Sequence, residues 1–215
     1  MRFRATVFCT VLAIGVAVPA AHGQSVVNGS FELGSPSDGG QGFTQLSSGS
    51  TAITGWSVGG AGVDWIGIYW QPSAGNRSVD LSALSAGSIS QSGISTVIGQ
   101  PYRISFDMAG NPTPGFGSPI KNMSVQATGG SVQNYTFDTT GRTTTNMGWT
   151  TMVYDFVASS TNTTLTFSSL DLTPTGPAID NVTIIPVPEP TSVLAVAAVA
   201  GLGVRAARRR RAAVA

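Results

Sequence analysis

The sequence predicts an all-β protein, an antiparallel β-sandwich, on three observations. Runs of alternating apolar and polar residues recur roughly every ten residues from Ser25 to Ile185. Gly, Pro, Asn and Ser punctuate them. No apolar period of a helix is sustained anywhere in that stretch.

The runs can be taken in order. Tyr102, Ile104, Phe106 and Met108 share one strand face, and Arg103, Ser105 and Asp107 the other. Met123, Val125 and Ala127 alternate with Ser124, Gln126 and Thr128. Met152, Tyr154 and Phe156 alternate with Val153 and Asp155, and Leu165 and Phe167 with Thr164, Thr166 and Ser168. Each reads as a strand with one wet face, and together they suffice to close two packed sheets. Ser and Thr replace charge on the wet faces. The Gly-Ser stretch from Gly34 to Thr51 and the segment from Gly110 to Ser118 read as loops, either mobile or functional.

The ends read differently. Arg2 and Arg4 precede an apolar core from Val7 to Val18, and Ala21-His22-Gly23 offers small residues before Gln24. Residues 1–23 are therefore expected to be a secretory signal peptide, with cleavage after Ala20 as the competing choice. The only cysteine, Cys9, and the only histidine, His22, fall inside it. The expected mature domain, residues 24–185, then has no disulfide, no cysteine zinc site and no histidine base.

Residues 186–215 form the third region. Pro188-Glu189-Pro190 enters an apolar segment from Thr191 to Val204, followed by Arg205 and the cluster Arg208, Arg209, Arg210 and Arg211. As a helix the apolar segment would be about 21 Å long, short of a bilayer core of roughly 30 Å, so polar and arginine flanks must make up the span. The arginines belong inside and the preceding domain outside.

Charge is sparse, at 10%, and segregated. Outside the two ends the basic residues are only Arg77, Arg103, Lys121 and Arg142, against nine acids. A mildly acidic domain without a basic patch excludes nucleic acid as an expected partner.

A set of motifs runs through the domain in order: Val27-Asn28-Gly29-Ser30-Phe31-Glu32, Ile53-Thr54-Gly55-Trp56, Val63-Asp64-Trp65-Ile66-Gly67, Arg77-Ser78-Val79-Asp80-Leu81, Tyr102 to Phe106, Ala109-Gly110-Asn111-Pro112, Met147-Gly148-Trp149, and Gly176 to Val182. This set resembles the choice-of-anchor C family, a bacterial surface family similar to a domain of unknown function in plant cell-wall proteins. The resemblance implies a galactose-binding-like jelly-roll sandwich, no catalytic activity, and polysaccharide as partner. The tail resembles the PEP-CTERM sorting signal of Gram-negative bacteria, which implies recognition near Pro188-Glu189-Pro190 by an exosortase-type membrane peptidase. An ordinary C-terminal anchor is the alternative.

The residues suggest sites of their own. Trp65, Tyr69 and Trp70 crowd one short stretch, and period two puts Trp65 and Tyr69 on one face and Trp70 on the other. Exposed rings stack on a pyranose while polar groups bond its hydroxyls, so Asp64, Trp65, Tyr69, Trp70 and Arg77 are the carbohydrate-binding candidates. Core packing of the same rings is the competing reading. Trp56 and Trp149, each behind a glycine, read as core, and Asp80 as a turn-forming carboxylate. Glu32 and Asp180, expected at the first and last strands, offer hard oxygens for a structural calcium ion. The alternative is that they bond strand-end amides.

The expected function is a non-enzymatic, exported surface or matrix protein that binds carbohydrate. Its tail would make it transiently membrane-anchored before processing. A purely structural or adhesive protein is the near alternative. A carbohydrate-active hydrolase using acids such as Asp64, Asp80 and Asp107 is the rival from another class.

Overall fold

The computed structural model describes residues 25–35 and 41–188. The signal-peptide reading and the tail from Glu189 onward, including Arg208 to Arg211, lie outside the described residues.

Among the described residues, eleven strands form two antiparallel sheets: β1 (Phe43–Leu46), β2 (Ser57–Gly60), β3 (Val63–Ile66), β4 (Ser78–Asp80), β5 (Gly87–Ser95), β6 (Pro101–Gly110), β7 (Ile120–Ala127), β8 (Gln133–Asp138), β9 (Thr150–Val157), β10 (Asn162–Ser169) and β11 (Pro177–Pro186). One sheet has the order β1-β3-β4-β11-β6-β9, the other β2-β5-β10-β7-β8. The chain crosses repeatedly between the sheets, as in a jelly roll. No helix occurs among the described residues, so none there is long and apolar enough to cross a membrane.

The alternating runs place their apolar faces between the sheets. Tyr102, Ile104, Phe106 and Met108 from β6 are buried, as are Met123, Val125 and Ala127 from β7 and Leu165 and Phe167 from β10. Phe106 meets Phe167 edge-on across the layers, with centroids 5.1 Å apart. Each such ring contributes about 1.5–3 kcal/mol by leaving water. Trp56 joins this core, with Phe31 at 5.3 Å and Phe167 at 6.2 Å.

Cross-strand register then decides what the opposite face of the six-stranded sheet carries. Trp65 pairs with Val79, Val79 with Ile179 and Ile179 with Met108, all on the core side. The outward row is therefore Gln45, Asp64, Asp80, Ala178 and Ala109. Asp180 and Asp107 pair a step further along. A bulge follows Asp180, where Asn181 adopts φ 52°, a conformation asparagine tolerates. The bulge lets Asn181 Nδ2 reach Asp107 Oδ2 at 3.1 Å.

The structure departs from the sequence reading at three places. The stretch read as one loop from Gly34 to Thr51 contains β1, which pairs with β3. Residues 27–32 form a turn rather than a first strand: Phe31 N donates to Asn28 O at 3.0 Å, and both residues have positive φ. Their order comes from side chains, with Asn28 bonding Leu33 and Thr54 and buried Phe31 packing on Trp56. Finally, β3 ends at Ile66, so period two does not carry through to Tyr69. Trp65 faces the core, whereas Tyr69 lies among the outward-facing residues.

Candidate functional site

The outward face of the six-stranded sheet is roofed by the segment after β3, the loop after β6 and the loop before β11. Between these roofs lies a pocket of about 240 Å³ lined by Phe43, Gln45, Asp64, Ile66, Tyr69, Ala83, Asn111, Thr113, Phe116, Pro174 and Thr175. Phe43 and Tyr69 meet edge-on at 5.5 Å. The Tyr69 hydroxyl and Thr113 Oγ1 lie 3.0 Å apart and tie two of the roofing segments together. Phe116 is more than half exposed, at 54%, on the pocket's lining.

Asp64 is the acidic residue of the lining. It is buried, and its Oδ1 is shut from solvent without a hydrogen-bond partner. Burial raises its pKa from 3.8 to about 7. Asp80, its cross-strand partner, is fully buried beside it. Burial likewise pushes Asp80 up, to about 8, against the hydrogen bonds it accepts and with some help from Asp64. Those bonds come from Asn111 Nδ2 at 2.8 Å, Ser82 N at 3.0 Å and Gly176 N at 3.1 Å. The bond from Ser82, two residues on, is the turn geometry expected of Asp80. Through Asn111, Asp80 also positions the loop after β6, because Asn111 Oδ1 accepts the Thr113 amide at 3.0 Å.

A second carboxylate network holds the segment after β3. Asp180 Oδ2 accepts the amides of Ser73 and Ala74, each at 2.8 Å. Glu32 Oε1 accepts those of Asn76 at 2.8 Å and Arg77 at 2.9 Å. Asp107 accepts the hydroxyls of Ser73 at 2.6 Å and Thr151 at 2.7 Å. Burial raises the Asp180 pKa to about 7 although backbone amides oppose it. Glu32 and Asp180 thus bind amides, the alternative weighed above. A calcium ion here would have to compete with the backbone amides that Glu32 Oε1 and both Asp180 oxygens already accept. No three acidic, histidine or cysteine side chains converge as metal ligands among the described residues.

The predicted carbohydrate residues divide. Asp64 and Tyr69 reach the pocket. Trp65 and Trp70 are corrected to packing residues, because both are buried with their indole N–H satisfied. Trp65 Nε1 donates to Phe31 O at 2.9 Å and Trp70 Nε1 to Ser78 Oγ at 2.8 Å. Arg77 is also drawn away, its guanidinium 3.9 Å above the Trp65 ring. Trp149 is only partly buried and donates to Gln71 O at 2.9 Å. The sequence reading missed Phe43, Gln45, Phe116 and Thr175. The one signal available was the long loop with Asn111-Pro112 at its start, and Asn111 and Phe116 stand in it.

Fold and site together define an all-β sandwich with a small aromatic and polar pocket on one outer sheet face. The family model described as protein of unknown function (DUF642) matches residues 24–185, and the chain belongs to that family. It is 33% identical over 208 residues to halomucin of Haloquadratum walsbyi, covering 90% of this chain but 2% of that protein. The chain thus spans a small fraction of the curated relative's length.

Among solved structures it is similar to a CBM35 from Paenibacillus barcinonensis, with TM-score 0.45 and 17% identity, covering 66% of this chain and 98% of that one. A family 61 carbohydrate-binding module in complex with β-1,4-galactotriose gives 0.44 and 18%, covering 62% and 90%. An arabinose-bound α-L-arabinofuranosidase gives 0.46 and 13%, covering 66% and 24%. None of the three is near enough to carry a residue correspondence.

Proposed function

We propose that this protein is a non-enzymatic carbohydrate-binding module whose site is the Asp64 pocket. The observation that carries this reading is the lining itself. Three rings, Phe43, Tyr69 and Phe116, share a pocket with Gln45, Asp64, Asn111, Thr113 and Thr175. Aromatic faces stack on the C–H face of a sugar while amides, hydroxyls and a carboxylate bond its hydroxyls. At about 240 Å³ the pocket is smaller than the roughly 300–1,000 Å³ usual for drug-sized ligands, which suits one sugar ring or a chain end.

The hydrolase alternative would need two carboxyls flanking the substrate. Asp64 and Asp80 are facing buried acids, but Asp80 is fully buried and bonded to three N–H donors, leaving Asp64 alone at the pocket. This supports binding over catalysis.

The test is a glycan array followed by titration of any hit. Phe116→Ala and Tyr69→Ala are expected to weaken binding roughly tenfold or more, as loss of a ring at a binding hot spot does, with the fold retained by circular dichroism. Unchanged affinity in both variants would remove the site from this pocket.

The export and sorting readings extend the proposal. The support is the sequence pattern: the basic and apolar start, the Pro188-Glu189-Pro190 motif, the apolar segment and the terminal arginines. On this reading the domain is a choice-of-anchor C surface protein, held at the membrane through its tail and then released by an exosortase-type peptidase.

A further inference from the structure

The Asp64 pocket carries charge of one sign. Among the described residues its ionisable lining groups are Asp64 and Tyr69, and no lysine or arginine lines it. Asp80 stands beside Asp64 on the same sheet face and is hydrogen-bonded to neutral N–H donors alone. The four basic side chains of the domain are committed elsewhere. Arg103 pairs with Asp155 at 2.7 Å, Arg77 lies on Trp65, and Arg142 lies over Phe137 at 5.8 Å. Lys121 is bonded to a lining residue of the pocket. Its Nζ donates to Thr175 O at 2.7 Å and Thr175 Oγ1 at 2.9 Å, and Lys121 lines a neighbouring groove of about 470 Å³ rather than this pocket.

We infer that the pocket selects uncharged sugars and rejects sugars bearing carboxylate or sulfate, with Asp64 supplying the repulsion. This rests on the saccharide reading above. A partly buried charge with no counter-ion is poorly screened, so it repels a like charge brought into the same pocket. Specificity built on a repulsive element needs no extra contact to the favoured ligand.

The discrimination is also linked to pH. Asp80 on β4 is the charged group that faces Asp64 across the strand pair. From β1 come Gln45 and Phe43, from the loop after β6 Asn111, Thr113 and Phe116, from the segment after β3 Tyr69, and from the loop before β11 Pro174 and Thr175. Lys121 on β7 lies behind Thr175, where Asp171 and Asp80 act on it. Burial keeps Asp64 and, behind it, Asp80 protonated on the acid side of neutrality, so repulsion at the pocket strengthens as Asp64 ionises through about 7.

The experiment compares length-matched neutral and uronate oligosaccharides, the β-1,4-linked hexose series against galacturonate, glucuronate and mannuronate oligomers. Titrations of the parent and Asp64→Asn are run at about pH 6 and about pH 8.5, either side of these carboxyls. In the parent at the higher pH a neutral oligomer is expected to bind at least tenfold tighter than its uronate counterpart. The ratio is expected to shrink at the lower pH and in Asp64→Asn. Uronates bound as tightly as neutral sugars, or a ratio unchanged by both pH and Asp64→Asn, would overturn the inference while leaving saccharide binding intact. Binding of no oligosaccharide would overturn both. Should Asp64→Asn fail to fold, the pH comparison in the parent decides alone.

Discussion

Asp64 is a buried acid whose placement costs stability. Its Oδ1 has no partner, and an unsatisfied buried polar group costs about 1–3 kcal/mol. The cost shows as pH dependence. Asp64, Asp80 and Asp180 all have folded pKa values raised above the ordinary 3.8, to about 7, about 8 and about 7. The folded state then holds more protons than the unfolded chain between these limits. Their contribution to stability is full below about 3.8, declines as pH rises and is lost above about 8. The melting temperature is therefore expected to be higher at mildly acid pH than at alkaline pH in a thermal scan series. Asp64→Asn, which removes one such charge and breaks no recorded hydrogen bond, is expected to raise the alkaline value by a few degrees and flatten the profile. A steeper profile in Asp64→Asn would contradict the burial argument.

The segment from Gly67 to Arg77 is held by carboxylates at the level of elements. Asp180 from β11 and Glu32 from the N-terminal turn clamp four successive or near-successive amides of it. Tyr69, earlier in the same segment, reaches the pocket. Glu32→Ala is expected to cost roughly 1.5–3 kcal/mol, as loss of hydrogen bonds to a charged group does, and to weaken ligand binding by loosening the segment. Denaturant melts and a titration measure the two effects. Because these oxygens are occupied by amides, excess chelator is expected to leave the melting temperature unchanged. A chelator-induced drop would show a bound ion, since a ligand of the native state alone adds stability, and would restore the calcium reading of Glu32 and Asp180. In the core, Phe106→Ala is expected to be far costlier, about 3–5 kcal/mol, because the ring fills space between both sheets.

The whole molecule has two distinct ends. The pocket lies where β11 begins, beside Gly110 and Asn111. The tail leaves where β11 ends, with Val187 N bonded to Pro101 O at 2.9 Å and Val187 O accepting Gln100 Nε2 at 2.8 Å. A ten-residue strand at about 3.3 Å per residue separates them by roughly 30 Å. If the tail holds the domain at a membrane, the pocket therefore stands at the far end of the sandwich. Intact mass of protein recovered from the bacterial surface is expected to begin near Gln24 and to lack the residues after Pro188-Glu189-Pro190. Recovery of chains that keep Arg208 to Arg211 would count against processing.

The sequence by itself determined the sandwich. Alternation in β6, β7, β9 and β10 is a local property, readable because successive strand residues point to opposite faces. It also determined that Trp56 is core and Asp80 a turn acid, since both readings need only near neighbours. Only the tertiary structure decided the site. The pocket draws on β1, β3 and four separate connecting segments, from Phe43 to Thr175, and no local period relates residues so far apart. The same holds for the aromatic stretch. Trp65 and Tyr69 look alike in sequence, but one faces Phe31 inside and the other Thr113 outside, because β3 ends between them. Strand pairing across the chain, rather than any run of residues, set Asp64 beside Asp80 and left its carboxyl without a partner.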